Sequence, residues 1–379
     1  MQSLFRRGAL WVLTLVLVLS VVAPAAFAGA ARSVALPADP EGGKAHPNPF
    51  PPSPLQAFLL TSAPDSFADL QAHAGAIEVV YPTYFECSSG GEVVGVANAE
   101  VDAYAAAHGL VEMPRFSCQN GALVHRILTQ PALRARVFAR LVGLADDPSY
   151  AGLNLDLEND GARDRGALTT FVAALAARLH AEGRKLAVDV VGVTHEVVPR
   201  PAAGFYDDRA LAAAADTVFV MAWGPHWEGS GPGPIAPLSF VRGVARHVAS
   251  LPHAQRFVLG VPMYGLDWAL TGGRGRSRGG GSGGSGDGGG RGDAAAGPVR
   301  ATALQYAGAL ALSQSAGVAP VWDPSSGEMT FTYVRGGAPH RVWYMDARAI
   351  LARIAIARRY GLAAGVWRLG EEDQALWAG

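Results

Sequence analysis

The 379-residue sequence has little of what marks several common protein classes. Its two cysteines, Cys87 and Cys118, are too few for a disulfide-built scaffold in a chain this long. No Cys-x-x-Cys or paired histidines accompany them, so they lack the spacing of a metal site. Only 17% of the residues are charged and the net charge is −1, with no basic face or acidic tail. That argues against nucleic acid as the main partner. After residue 28 no apolar run is long enough to cross a bilayer. No glycine-rich phosphate turn follows the first strand-like segment, which weakens an open dinucleotide-binding sheet as an alternative.

Hydrophobic residues make up half of the sequence, enough for a substantial core. Residues 1–28 read as a signal peptide. Arg6 and Arg7 precede the apolar stretch Ala9 to Ala23, and Ala26-Phe27-Ala28 is a small-x-small cleavage site. Residues 29–54, with Pro47, Pro49, Pro51, Pro52 and Pro54, read as an extended linker. Residues 271–298 are dominated by Gly, Ser, Arg and Asp and are expected to form a disordered loop, because they cannot bury a core.

Between these segments strands and helices alternate. Strand candidates lie at Gln56 to Leu60, Ile77 to Tyr81, Leu110 to Phe116, Leu153 to Glu158, Lys185 to Val191, Thr217 to Trp223, Phe257 to Met263 and Ala363 to Trp367. Apolar strands joined by helical crossovers predict a parallel sheet, and eight repeats predict an α/β fold of the (β/α)8 TIM-barrel type over 55–379. Residues 299–345 interrupt the rhythm and are expected to form a small α+β insertion between strands seven and eight: a helix Ala303 to Ser315, short strands, and a turn at Gly336-Gly337.

The fourth strand carries the chemistry. In Leu153-Asn154-Leu155-Asp156-Leu157-Glu158 the period is two, so Asn154, Asp156 and Glu158 share one face and the leucines the other. Two carboxylates on one face of an interior strand are costly to bury, and same-sign neighbours raise the pKa of one member. That combination yields an acid beside a base. In a barrel, Glu158 stands at the C-terminal rim with Asp156 and Asn154 below it. The other strand ends are aromatic: Tyr81 and Tyr84, Trp223 and Trp227, Tyr264 and Trp268, and Trp367. Aromatic faces beside paired carboxylates suit a glycan cleft.

Gly152 to Glu158 resembles the catalytic strand DGxDxDxE of glycoside hydrolase family 18, in the GxNxDxE form of its spore-cortex-lytic and peptidoglycan-type N-acetylglucosaminidases. Further segments are similar to family motifs in the same order. They are Val220 to Trp227, Pro232 to Leu238, Leu259 to Trp268, Val342-Trp343-Tyr344 with Asp346, and Gly365 to Gly370. The resemblance implies retaining hydrolysis in which the sugar's own acetamido oxygen attacks the anomeric carbon. Glu158 then serves as acid and base, Asp156 orients the acetamido group, and Asn154 donates to Asp156. Trp367 forms the floor under the reacting sugar, and Tyr81, Met221, Trp223, Trp227, Tyr264, Asp267 and Trp268 contact substrate. It implies no metal or other cofactor, and a glycan with N-acetylated sugars as partner.

Three positions depart from the pattern. Ala151 replaces the first Asp, and Trp223 and Gly224 replace the Tyr and Asp that contact the acetamido group. They keep open a second reading, a carbohydrate-binding relative with weak catalysis. A metal enzyme built on Asp156, Glu158 and His195 or His226 is a third class, though these histidines lack ligand spacing. Cys87 and Cys118 follow strands two and three, adjacent in a barrel, so a disulfide bracing two active-site loops is expected. The mature protein is expected to be an exported monomer, free of the membrane and of nucleic acid.

Overall fold

The computed structural model describes residues 54–158, 161–195, 203–270 and 301–378. The signal segment, the linker apart from Pro54, and the Gly-rich segment 271–298 lie outside the described residues. Eight parallel strands form a curled sheet: β1 (Leu55–Leu59), β2 (Ile77–Pro82), β3 (Val111–Glu112 and Arg115–Cys118), β4 (Gly152–Leu157), β5 (Lys185–Val191), β6 (Thr217–Met221), β7 (Phe257–Pro262) and β8 (Ala363–Trp367). Every residue of β4 and of β7 is buried, as expected for strands covered on both faces.

The ring closes through β3, which the sequence suggested as one strand and the structure shows as two pieces. Val111–Glu112 pairs with β2, and Arg115–Cys118 pairs with β4. Met113 and Pro114 interrupt the ladder, because proline has no N–H to donate. The Pro114 carbonyl still accepts from Asn154 N (3.0 Å), and the Glu112 carbonyl from Ala151 N (2.8 Å). β8 pairs with both β7 and β1. Outside the ring, Leu153, Leu155 and Leu157 join one apolar cluster with Leu168, Phe171 and Leu175 of the helix Arg165–His180. Inside it, Phe58, Val79, Tyr81, Met113, Ala187, Phe219 and Val258 form a second cluster.

Two additions sit on this frame. After β2 the chain forms Phe85–Cys87, parallel to the upper part of β3, and folds back as Val93–Gly95. After β7 it enters a five-stranded antiparallel sheet in the order Ala301–Leu304, Gly265–Ala269, Ala338–Tyr344, Glu328–Arg335, Val321–Asp323. Gly336 and Gly337, with φ of +58° and +79°, make its hairpin turn, a geometry that side-chain-bearing residues rarely adopt. The helix expected from Ala303 begins only at Tyr306, because Ala301–Leu304 pairs as a strand with Gly265–Ala269. Helical propensity at Ala303 yields to that pairing.

A buried ion pair ties the inserted sheet to the barrel. Arg353, on the helix Ala347–Arg359, donates to Glu328 Oε1 (3.0 Å) and to the carbonyls of Ala236, Ser326, Gly327 and Ala349. Glu328 also accepts from Ile235 N and Ala236 N, each at 2.8 Å. The segment after β6 is thereby held by both layers. Among the described residues no helix is long and apolar enough to cross a membrane.

Candidate active site

The polar face of β4 points into the barrel, as its alternation requires. Asn154 and Asp156 are fully buried, and Glu158, just past the strand end, is half-buried. Gln119 Nε2 donates to Glu158 Oε1 at 2.8 Å, and the Glu158 N–H donates to the Cys118 carbonyl (2.9 Å). Asp156 Oδ2 accepts from Arg115 Nη2 and from Ser117 Oγ (3.2 Å). Its Oδ1 is buried and has no hydrogen-bond partner among the described residues.

One expected contact is corrected. Asn154 donates to Asp189 Oδ1 (2.7 Å) on β5, not to Asp156, whose Oδ2 is occupied by the β3 side chains Arg115 and Ser117. The register explains the choice. Asn154 lies beside Ala187, so the next inward side chain of β5 is Asp189. Arg115 and Asp189 were not singled out in the sequence. The available signal was a charged residue inside each of two largely apolar strand segments, at an inward position.

These groups form a compact charge cluster. Arg115 Nε lies 3.9 Å from Asp189 Oδ2 while its Nη2 holds Asp156. Burial, then the neighbouring Asp156, holds the Asp189 carboxyl well above the usual carboxylate range. The Arg115 guanidinium also lies over the Trp367 ring (5.0 Å) and near the Phe58 ring (5.9 Å), within reach of cation–π attraction. Tyr206, whose hydroxyl donates to the Leu157 carbonyl (3.1 Å), has its pKa raised by burial and by Asp156, Glu158 and Asp189.

The other sequence-derived positions divide into two groups. Met221, Trp223 and Trp367 are half-buried and pack on the interior cluster, at the same end as Glu158. Tyr81 lies in that cluster, fully buried, with its hydroxyl on Gln56 Oε1 (2.5 Å). The Trp223 ring fits beside Gly260, where an added Cβ would come within 2.8 Å of it. Gly224 has φ +101° and donates its N–H to the Ile235 carbonyl (3.0 Å), so a side chain there would be strained. The second group lies outside that interior cluster. Trp268 is fully buried and donates Nε1 to the Ser230 carbonyl (3.0 Å). Asp267, within the inserted sheet, accepts from Tyr333 Oη (2.6 Å) and lies 3.0 Å from His340 Nδ1. Trp227 is exposed on the segment after β6. Tyr264 packs on the outer apolar cluster, its pKa raised by burial and by Glu228, Glu371 and Glu328.

A polar pocket of about 340 Å³ lies at the end of β3, lined by Gln119, whose amide holds Glu158. Ser117 and Gln119 line it, so the side chains that hold Asp156 and Glu158 also form its wall. Cys87 lines it too, bonded to Cys118 with the Cα atoms 5.1 Å apart. The bridge joins the strand Phe85–Cys87 to the end of β3. Among the described residues no three His, Cys, Asp or Glu side chains are grouped as metal ligands. A half-buried carboxyl above a buried carboxylate with one unpaired oxygen, facing aromatic rings, can protonate one atom of a bound molecule and accept a donor from another.

Comparison with known proteins supplies the lineage. The sequence profile of glycosyl hydrolases family 18 matches residues 121–372. The Bacillus subtilis protein YdhD is 26% identical over 249 residues, 65% of this chain and 53% of its own length. The chain thus spans about half of that relative. A chitinase from Chromobacterium violaceum superposes with a TM-score of 0.71 and 25% identity, covering 86% of this chain and 97% of its own. The Bacillus cereus spore cortex-lytic enzyme SleL superposes with a TM-score of 0.70 at 20% identity, a likeness of fold, covering 86% and 73%. With more than half of its residues matched by the family profile, the chain belongs to glycosyl hydrolases family 18.

Proposed function

We propose that this protein is a secreted glycoside hydrolase that cleaves β-1,4-linked glycan containing N-acetylglucosamine, either peptidoglycan or a chitin-like polymer. The observation that carries the reading is the stacking along one strand face: Glu158 reachable at the rim and Asp156 buried beneath it with Oδ1 unpaired. A sugar resting on Trp367 would present its glycosidic oxygen to Glu158 and its acetamido N–H to Asp156. Glu158 donates its proton to the leaving oxygen as the acetamido oxygen attacks the anomeric carbon and the glycosidic bond breaks. Glu158 then takes a proton from water, which opens the cyclic intermediate with the configuration retained. The serine- and amide-lined pocket at the end of β3 suits a neighbouring sugar held by hydrogen bonds, since no aromatic ring lines it.

A second reading, a glycan-binding relative with weak turnover, is favoured by Trp223 and Gly224. Neither offers a hydroxyl or a carboxylate to the acetamido group. An oriented donor at a reacting centre is worth about 10²–10³ in rate, so its loss slows the reaction without removing the acid. Incubation with purified peptidoglycan and with chitin oligomers separates the two. New reducing ends in the β configuration are expected for the hydrolase. Retention on insoluble glycan without product would establish the binding role instead. Export is supported by the N-terminal Arg6-Arg7, apolar and Ala26-Phe27-Ala28 pattern, and an N-terminus at Gly29 in the mature protein is its expected signature.

A further inference from the structure

We propose that Arg115 is a positioning residue of the hydrolysis, clamping Asp156 and steadying Trp367. This rests on the functional reading above. Arg115 is buried on β3 beside Asn154, pointing inward, and meets four side chains from four different strands. Its Nη2 donates to Asp156 on β4, its Nε faces Asp189 on β5, and its plane lies over Trp367 on β8 and near Phe58 on β1. The floor of the sugar site and the carboxylate expected to orient the acetamido group are therefore joined by one planar cation.

The clamp is asymmetric. Arg115 and Ser117 both donate to Oδ2 of Asp156, which leaves Oδ1 as the acceptor available to a substrate N–H. Rotation of the Asp156 carboxyl would break both contacts at once. Arg115 Nε has no hydrogen-bond partner among the described residues, and Asp189 approaches it only to 3.9 Å. Asn154 fixes Asp189 from the other side through its amide. The charged and titratable groups facing Asp156 are Arg115 from β3, Asp189 from β5, Glu158 on its own strand, and Tyr206 after β5. Arg115 is the cation in this group, so both carboxylates of the interior depend on it.

The consequences are readable in the split between kcat and KM. Arg115→Lys keeps a cation but loses the planar contact with Trp367, and kcat should fall about tenfold with KM little changed. Arg115→Met removes the donor to Asp156 as well, and kcat should fall by about 10²–10³ where the variant folds.

The test is this pair measured together, with the unfolding temperature alongside. A loss of kcat at near-constant KM, larger for Arg115→Met than for Arg115→Lys, in folded variants supports the proposal. Wild-type kcat in folded Arg115→Met, or in Arg115→Lys where the methionine variant does not fold, overturns it. Should the wild type hydrolyse no N-acetylated glycan while Arg115→Met is retained less well on chitin, the hydrolase reading falls and the clamp stands as a feature of a binding site.

Discussion

Two buried arginine–carboxylate pairs hold this molecule, and they are finished to different degrees. At Arg353–Glu328 every guanidinium nitrogen donates a hydrogen bond and both carboxylate oxygens accept from backbone. At Arg115–Asp156 one guanidinium nitrogen and one carboxylate oxygen have no hydrogen-bond partner among the described residues, and neither has Asn154 Oδ1. Leaving a buried polar atom unpaired costs about 1–3 kcal/mol, so a fold gains nothing from it. The complete pair belongs to architecture, joining the inserted sheet to the barrel. The incomplete one lies beneath Glu158 at the rim of β4, and reads as a site whose Asp156 Oδ1 is kept as an acceptor for a substrate.

Removing a partner should separate the two. Arg353→Met leaves Glu328 buried without a counter-charge and should cost about 3–5 kcal/mol in denaturant unfolding. A loss under about 1 kcal/mol would show that water or relaxation replaces the pair. The rim brace comes next. Replacing Cys87 and Cys118 by serine should lower stability by about 2–4 kcal/mol, through greater freedom of the unfolded chain. An unchanged denaturation midpoint would count against the bridge.

Asp156→Asn should cost less, about 1–2 kcal/mol, because an amide oxygen can still accept from Arg115 and Ser117. Its activity should fall by about 10²–10³. Destabilisation equal to that of Arg353→Met with normal turnover would erase the distinction between the pairs.

A gentler effect is expected from pH. Burial, followed by the neighbouring Asp102, raises the Glu112 carboxyl from 4.5 to about 8. The folded protein therefore keeps this proton while the unfolded chain releases it. Its contribution to stability is complete below pH 4.5 and is lost as pH rises toward about 8. The slope is at most about 1.4 kcal/mol per pH unit for one such group. Glu112→Gln should flatten that part of a thermal-unfolding profile, and an unaltered slope would assign the pH dependence to other carboxyls.

Much of this was legible in the sequence, for physical reasons. Period-two alternation in Leu153 to Glu158 gave the strand and its polar face, because a strand sends successive side chains to opposite sides. The eightfold alternation gave the barrel, and Gly336-Gly337 marked a hairpin because two consecutive positive φ angles favour glycine. What stayed hidden depends on register across strands. Nothing local to Lys185 to Val191 says that Asp189 meets Asn154, and nothing local to Pro114-Arg115 says that the guanidinium spans four strands. Trp268 and Asp267 follow β7 directly in sequence, yet Gly265–Ala269 leaves the barrel and joins another sheet. Their partners Ser230, Tyr333 and His340 are likewise not readable from the local sequence.

The most direct test is Glu158→Gln, measured for release of reducing sugar from peptidoglycan and chitin oligomers, with the unfolding temperature recorded alongside. The side chain is half-buried at the rim, so the unfolding temperature should hold. Turnover should fall by about 10²–10⁴, the usual contribution of a general acid. Wild-type turnover in a folded Glu158→Gln protein would contradict the account at its centre.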